Sequence, residues 1–315
     1  MTLAHVHILL NHFPTIGMIV GMGLYILSLI WKSEDVKRAS LAVIFGIAAI
    51  AIATFVSGSA ALQEIESLPG VSKAAAAAHQ DAALLALVFL ELAGIVAWLA
   101  LWQFRRIGRI AKGIQAVVLV LGLISLGLMA NAANIGGEIR HPEILTAQEA
   151  AARNGAGPAH GILNAQAIGV FVTGKPWMWP TCETLHFIGL SLLLGVVLAV
   201  DLRMLGFMKS VSFTTLHRLL PWAILGFAMN VLTGMLFFVG AAEQYTMNKT
   251  FHWKIVFVLL AAVNGLYFTV LDEVWLVGAG DEAPMMAKAM AASAMFLWAA
   301  VMSCGSMLPF LGNAF

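Results

Sequence analysis

The sequence predicts an all-α integral membrane protein: eight transmembrane helices forming two parallel-repeat four-helix bundles, with both termini outside. Three observations predict it. Only 10% of the 315 residues are charged and 61% are hydrophobic, whereas an ordinary soluble domain is about 25% charged. Eight apolar runs reach the roughly 20 residues that a helix needs to cross the hydrocarbon core. Basic residues gather in alternate loops, which fixes an orientation by the positive-inside rule.

The runs fall near 5–31, 38–61, 80–103, 113–134, 180–205, 219–241, 253–277 and 287–310. The opening stretch, MTLAHVHILLNHF, has no basic leader before its apolar run. It therefore reads as a retained first helix and not as a cleaved signal peptide. Lys32, Lys37 and Arg38 separate the first pair of spans, and Arg105, Arg106, Arg109 and Lys112 the third and fourth. Arg203, Lys209 and Arg218 follow the fifth, whereas the loop 62–79 holds only Lys73. Both termini are thereby expected on the periplasmic side of a bacterial inner (cytoplasmic) membrane. Trp31, Trp98 and Trp102 are expected as anchors at the inner boundary, and Trp177, Trp179 and Trp253 at the outer one. Three regions follow: a membrane bundle over 1–137, an outer loop over 138–179 and a second bundle over 180–315. Within the loop, EAAARNGAGPAHG suggests a short helix and a turn.

Several functions are excluded by composition. A net charge of +1 leaves no basic surface for nucleic acid. Two cysteines, Cys182 and Cys304, cannot supply a disulfide scaffold or a four-cysteine iron–sulfur cluster. They lie at similar depth, so a disulfide between them in an oxidising compartment is an open alternative. No C-x-x-C-H segment occurs for covalent haem. The sixteen methionines are scattered, as packing and lipid-facing filler would be.

The two halves carry matching residues in matching order. His12 and His79 fall near the outer ends of spans one and three, His186 and His252 near those of spans five and seven. They are 67 and 66 residues apart. Spans two, four, six and eight carry Gly58, Gly136, Gly234 and Gly305 towards the same side. Two histidines on alternate helices of a bundle can hold one haem iron from both faces. Glycine on the intervening helices would leave room for the macrocycle edges. The expectation is one or two non-covalent haem b groups, ligated by His12 with His79 and by His186 with His252. The bland alternative is a histidine facing headgroups and water, or buried neutral without a ligand. His186 lies six residues inside Pro180, about 9 Å along the axis, too deep for easy solvation.

Other polar residues carry weaker signals. His5, seven residues before His12, shares its helix face and could ligate in its place, whereas His7 points elsewhere. His141 and His160 belong to the outer loop, and His217 is expected to be cytoplasmic. Glu91, Asn131, Asn134, Asn230 and Asn264 lie within spans, where asparagine commonly joins helices; a proton or quinone role is the rarer use. Arg140, Lys175, Lys249 and Lys254 are placed to meet haem propionates or simply to snorkel.

The segment HILLNHFPTIG (His7–Gly17), with the later VSG and His79, resembles a bacterial four-helix membrane family of unknown function that opens with His-x4-His-Phe-Pro. The second half, with WPTCETLHFIGLSLLLG, DLRMLG, HRLLPWAILGFAMNVLTG and QYTMNKTFHWK, is similar to another bacterial membrane family without established chemistry. Together the resemblances cover nearly the whole chain and imply architecture more than function. More distantly, the paired histidines resemble those of four-helix membrane b-type cytochromes. A second histidine pair at the cytoplasmic side is missing. The functional expectation is a b-type cytochrome near the outer face, carrying electrons between quinol and a periplasmic redox partner as part of a larger complex. The rival expectation is a cofactor-free transporter or a structural anchor subunit.

Overall fold

The computed structural model describes residues 2–65, 73–140, 162–271 and 273–311. The suggested loop helix, His141 and His160 lie outside the described residues. Among those described, all regular structure is helical, and eight helices are long and apolar enough to cross a membrane. In chain order the spans are Leu3–Trp31, Glu34–Ile65, Lys73–Ile107, Lys112–Ile139, Met178–Leu205, Phe213–Gly240, Lys249–Val270 and Met285–Met307. A shorter apolar helix, Ala165–Gly174, rests on the sixth span. The chain is an all-α, multi-pass membrane protein.

The helices end where backbone chemistry ends them. The fifth span stops at Gly206, whose φ of +101° is left-handed and suits a residue without a side chain. The seventh begins at Asn248, whose side chain accepts from the Thr250 and Phe251 amides. Many spans outrun the bilayer. The third, with 35 residues, is about 52 Å long at 1.5 Å per residue, against a hydrocarbon core of roughly 30 Å. Residues in its first turns therefore stand near the interface.

Spans one to four form a ring in chain order, closed by contact of the first with the fourth. Its interior holds Met18, Met22, Tyr25, Leu41, Ile44, Leu87, Leu90 and Val118. Small residues bring its helices close, with Gly94 against Ala48. In the second half the fifth span packs on the sixth and eighth, and the seventh on the eighth. The fifth and sixth cross through Gly189 and Gly226, where a Cβ on either would stand under 3 Å from the other's carbonyl oxygen. The sixth and seventh lie against the third, and the seventh also against the second. The second and third spans are accordingly the most buried, at 56% and 61% of their apolar windows.

Trp98 sits in that junction. Its ring meets Phe45 at 5.0 Å and Phe227 at 6.0 Å, and its Nε1 donates to Thr269 Oγ1 at 3.1 Å. At 6% exposure it joins the halves instead of anchoring an interface as the sequence suggested, because it faces inward where two apolar bundles meet. Trp31, Trp177 and Trp253 are exposed, as boundary residues are. The opposite ends of the molecule differ in chemistry. One carries His7, His79, His186 and His252. At the other, Arg38, Arg105, Arg106 and Arg203 donate to main-chain carbonyls of Val270, Thr269, Thr214 and Val211.

Candidate functional site: the histidine end

The first span contains a break that decides which histidine faces inward. Pro14 has no N–H, so the Leu10 carbonyl loses its helical partner. The helix is assigned as Leu3–Leu10 and His12–Trp31, with Asn11 between them. His5 and His12 share one face, as their spacing requires. That face is exposed, together with Ile8, Ile16 and Ile19. His7 lies about 140° around the axis from His12. Contrary to the sequence reading, it is His7 that turns inward, to the second span. Its Nδ1 lies 3.1 Å from the Thr54 carbonyl oxygen, and its ring covers Gly58. A Cβ at Gly58 would stand 2.8 Å from His7 Cε1.

The same arrangement recurs between the third and fourth spans. His79 Nδ1 lies 2.9 Å from the Ala132 carbonyl oxygen, four residues before Gly136. A Cβ on Gly136 would meet His79 Cε1 at 2.9 Å. The glycines therefore make room for imidazole rings, where macrocycle edges were expected. His7 and His79 are near enough to interact electrostatically.

The second half varies the pattern. His186 Nδ1 lies 2.8 Å from Thr233 Oγ1, beside the Phe237 ring at 5.8 Å. Thr233 commits its own proton to the Met229 carbonyl at 2.7 Å. A Cβ at Gly234 would meet nothing within 4 Å. His252 directs Nε2 to the Thr246 carbonyl at 2.8 Å, back into the short helix before its own. The residue beside Gly305 is Lys254, whose Nζ would lie 3.5 Å from a Cβ there. His186 and Lys254 interact electrostatically. Cys182 and Cys304 are both free thiols, and Lys175 and Lys249 are exposed.

These bonds fix tautomers. A carbonyl oxygen only accepts, so Nδ1 of His7 and of His79 must be the donor. Thr233 has spent its single proton, so His186 Nδ1 donates as well. All three imidazoles, when neutral, then present Nε2 with its lone pair free. That is the state of a metal-ligating histidine whose other nitrogen is held by an outer hydrogen bond. His252 is the reverse: its Nε2 carries the proton and is already engaged. Among the described residues no group of three or more His, Cys, Asp or Glu side chains converges on a metal-sized point. The set suits a group that needs one or two axial nitrogens.

The intramembrane amides act between and along helices. Asn264 donates to the Met290 carbonyl and Ser293 Oγ of the eighth span, and Asn230 to Gly226 of its own. Asn131 is exposed, and Asn134 donates to Glu138. Glu91 is buried, and its Oε1 has no hydrogen-bond partner among the described residues. No family model, curated protein or solved structure matches this chain.

Proposed function

We propose that this chain is a membrane b-type cytochrome whose first bundle holds one haem between His7 and His79. The observation that carries it is the paired tether: each ring rests over a glycine, donates through Nδ1 to a main-chain carbonyl, and keeps Nε2 for iron. A buried histidine that served only packing would have no need of the same arrangement twice in one bundle. His186 offers a third Nε2 of this kind in the second bundle and is the ligand of a second haem there. Lys254, on the neighbouring span, supplies a positive charge for a propionate. Bound haem supplies a one-electron couple; the chain's own residues hold it, orient it and exclude water from it.

The reading extends to an inner-membrane location with both termini and the histidine end on the periplasmic side. Electrons pass there between quinol and a periplasmic redox partner, within a larger complex. So little of the described chain stands outside the spans that catalysis on a soluble substrate falls to other subunits.

The test is a reduced-minus-oxidised spectrum of purified protein with a pyridine haemochrome assay. About two haems per chain are expected. His7→Ala and His79→Ala should each remove the same haem and His186→Ala the other, whereas His12→Ala should leave the spectrum intact. Colourless protein, purified gently from a haem-replete host, would sink the proposal.

A further inference from the structure

The arginine end of the second bundle encloses a cavity that the histidine chemistry does not use. It lies among the fifth to eighth spans, where Phe45 and Trp98 of the first bundle close the gap. Asp201, His217 and Asn264 line it, with Trp298. Its volume is about 60 Å³. A water needs only about 10–15 Å³ of such space, so the cavity admits water.

Its polar lining has unmet needs. Asp201 is 1% exposed and His217 2%. Asp201 makes no hydrogen bond or ion pair among the described residues, and its Oδ2 is fully buried. Neither ring nitrogen of His217 makes a well-formed hydrogen bond among the described residues, although both are buried, the Phe268 carbonyl is within reach of the ring, and the ring packs on Trp275 at 4.2 Å and on Phe213 at 5.3 Å. The charged groups around this end make their hydrogen bonds elsewhere, although Arg105 and Arg106 act on His217 electrostatically and Arg203 keeps one buried nitrogen unpaired among the described residues. On the same helix Arg203 donates to Val211, Gly278 and Asp281 carbonyls. From the third span Arg105 reaches Thr269 and Val270, and Arg106 reaches Thr214. From the second span Arg38 reaches Val270. Lys209 and Lys288 bind Glu282.

A buried polar atom left unpaired is costly, and an isolated carboxylate more so. Water is the occupant that removes the penalty, since it fits the volume and needs two to four polar partners. We propose that this cavity is a hydrated proton-holding site, in which one or two waters bridge Asp201 and His217 and one proton is shared between them. The proton leaves the Asp201 carboxyl O–H through water to a free ring nitrogen of His217, giving carboxylate and imidazolium, and returns by the same route. The pair carries no net charge in either arrangement, and the uncharged acid and imidazole is the one that a low-dielectric site favours. Asp201 stands fifteen residues from His186 on one helix, roughly 22 Å away, so the site is separate from the outer histidines and its test needs no haem.

The experiment is infrared spectroscopy of the full-length protein in H2O and D2O. A protonated-carboxyl C=O band should move on deuteration, disappear in Asp201→Asn, and persist in Glu91→Gln, which removes another buried acid whose carboxyl oxygen is unpaired among the described residues. His217→Gln should shift the Asp201 band by changing its water partner, and it carries the test where Asp201→Asn does not fold. An Asp201 band that is absent, or deaf to D2O, overturns the hydrated site. A band unmoved by His217→Gln overturns the shared proton.

Discussion

His7 and His12 are five residues apart, and a helix turning about 100° per residue cannot point both at one neighbour. The exposed face His5–Ile8–His12–Ile16–Ile19 assigns His12 to the outside, and Gly58 assigns His7 to the inside. The glycines give a second way to test the ligands without touching them. Gly58→Ala places a methyl where His7 Cε1 now lies, and Gly136→Ala does the same to His79. Each should cost most of one haem's absorbance, as His7→Ala would, with helical content by circular dichroism unchanged. Full haem occupancy in both variants would mean that the rings are not held by this contact. Histidine and glycine are conspicuous at span ends, which is why the sequence singles out His79, His186, Gly58 and Gly136; that Gly58 and Gly136 meet imidazole rings it does not show. The partner of Gly58 was not legible, because the HFP motif draws attention to His12 while the inward phase belongs to the turn before Pro14. His252 differs from the other three in a way the sequence hides. It directs Nε2 to Thr246 in the short helix before its own, a bond that spacing alone does not reveal.

The eight spans were legible as elements because lipid demands apolar helices of a minimum length, and that demand is written in composition. Their ends were less so. The structure extends the second and third spans to Ile65 and Ile107, since polar residues beyond the hydrocarbon core continue a helix although they end its apolar run. The connection between the seventh and eighth spans shows how such an end is tied down. Glu282 binds Lys209 and Lys288, and its carboxyl is drawn from about 4.5 down to about 2, first by the hydrogen bond from Lys209 and then by that from Lys288. Because the folded value lies below the unfolded one, the tie contributes fully above pH 4.5 and is lost as pH falls towards 2. It is exposed and so screened by salt. Hydrogen exchange of residues 206–212 should therefore be flat between pH 5 and 8 after correction for intrinsic rates. Protection there should fall on acidification in the native chain, and the acid-dependent step should be missing in Glu282→Gln.

At the scale of the whole molecule, the second bundle is completed by the first. The first ring closes on itself through the first and fourth spans, whereas the cavity of the second is walled partly by Phe45 and Trp98. Eight spans were legible in the sequence, but not this dependence, because nothing in hydropathy distinguishes a lipid-facing apolar helix from one facing another bundle. Lipid is as apolar as a leucine side chain, so the halves are held by close packing and hydrogen bonds more than by removal from water. Trp98 supplies both, through Phe45 and Phe227 and through Thr269. Trp98→Phe should keep most of the packing and lose the bond, costing about 1 kcal/mol. Trp98→Ala leaves a void and should cost about 3–5 kcal/mol, read as a lower thermal midpoint in detergent. The first ring carries its own core, so the damage should be uneven. In Trp98→Ala the haem of His186 should be lost on heating before that of His7 and His79. Simultaneous loss of both would mean that the two bundles unfold as one unit and that the junction is not the weak plane of the molecule.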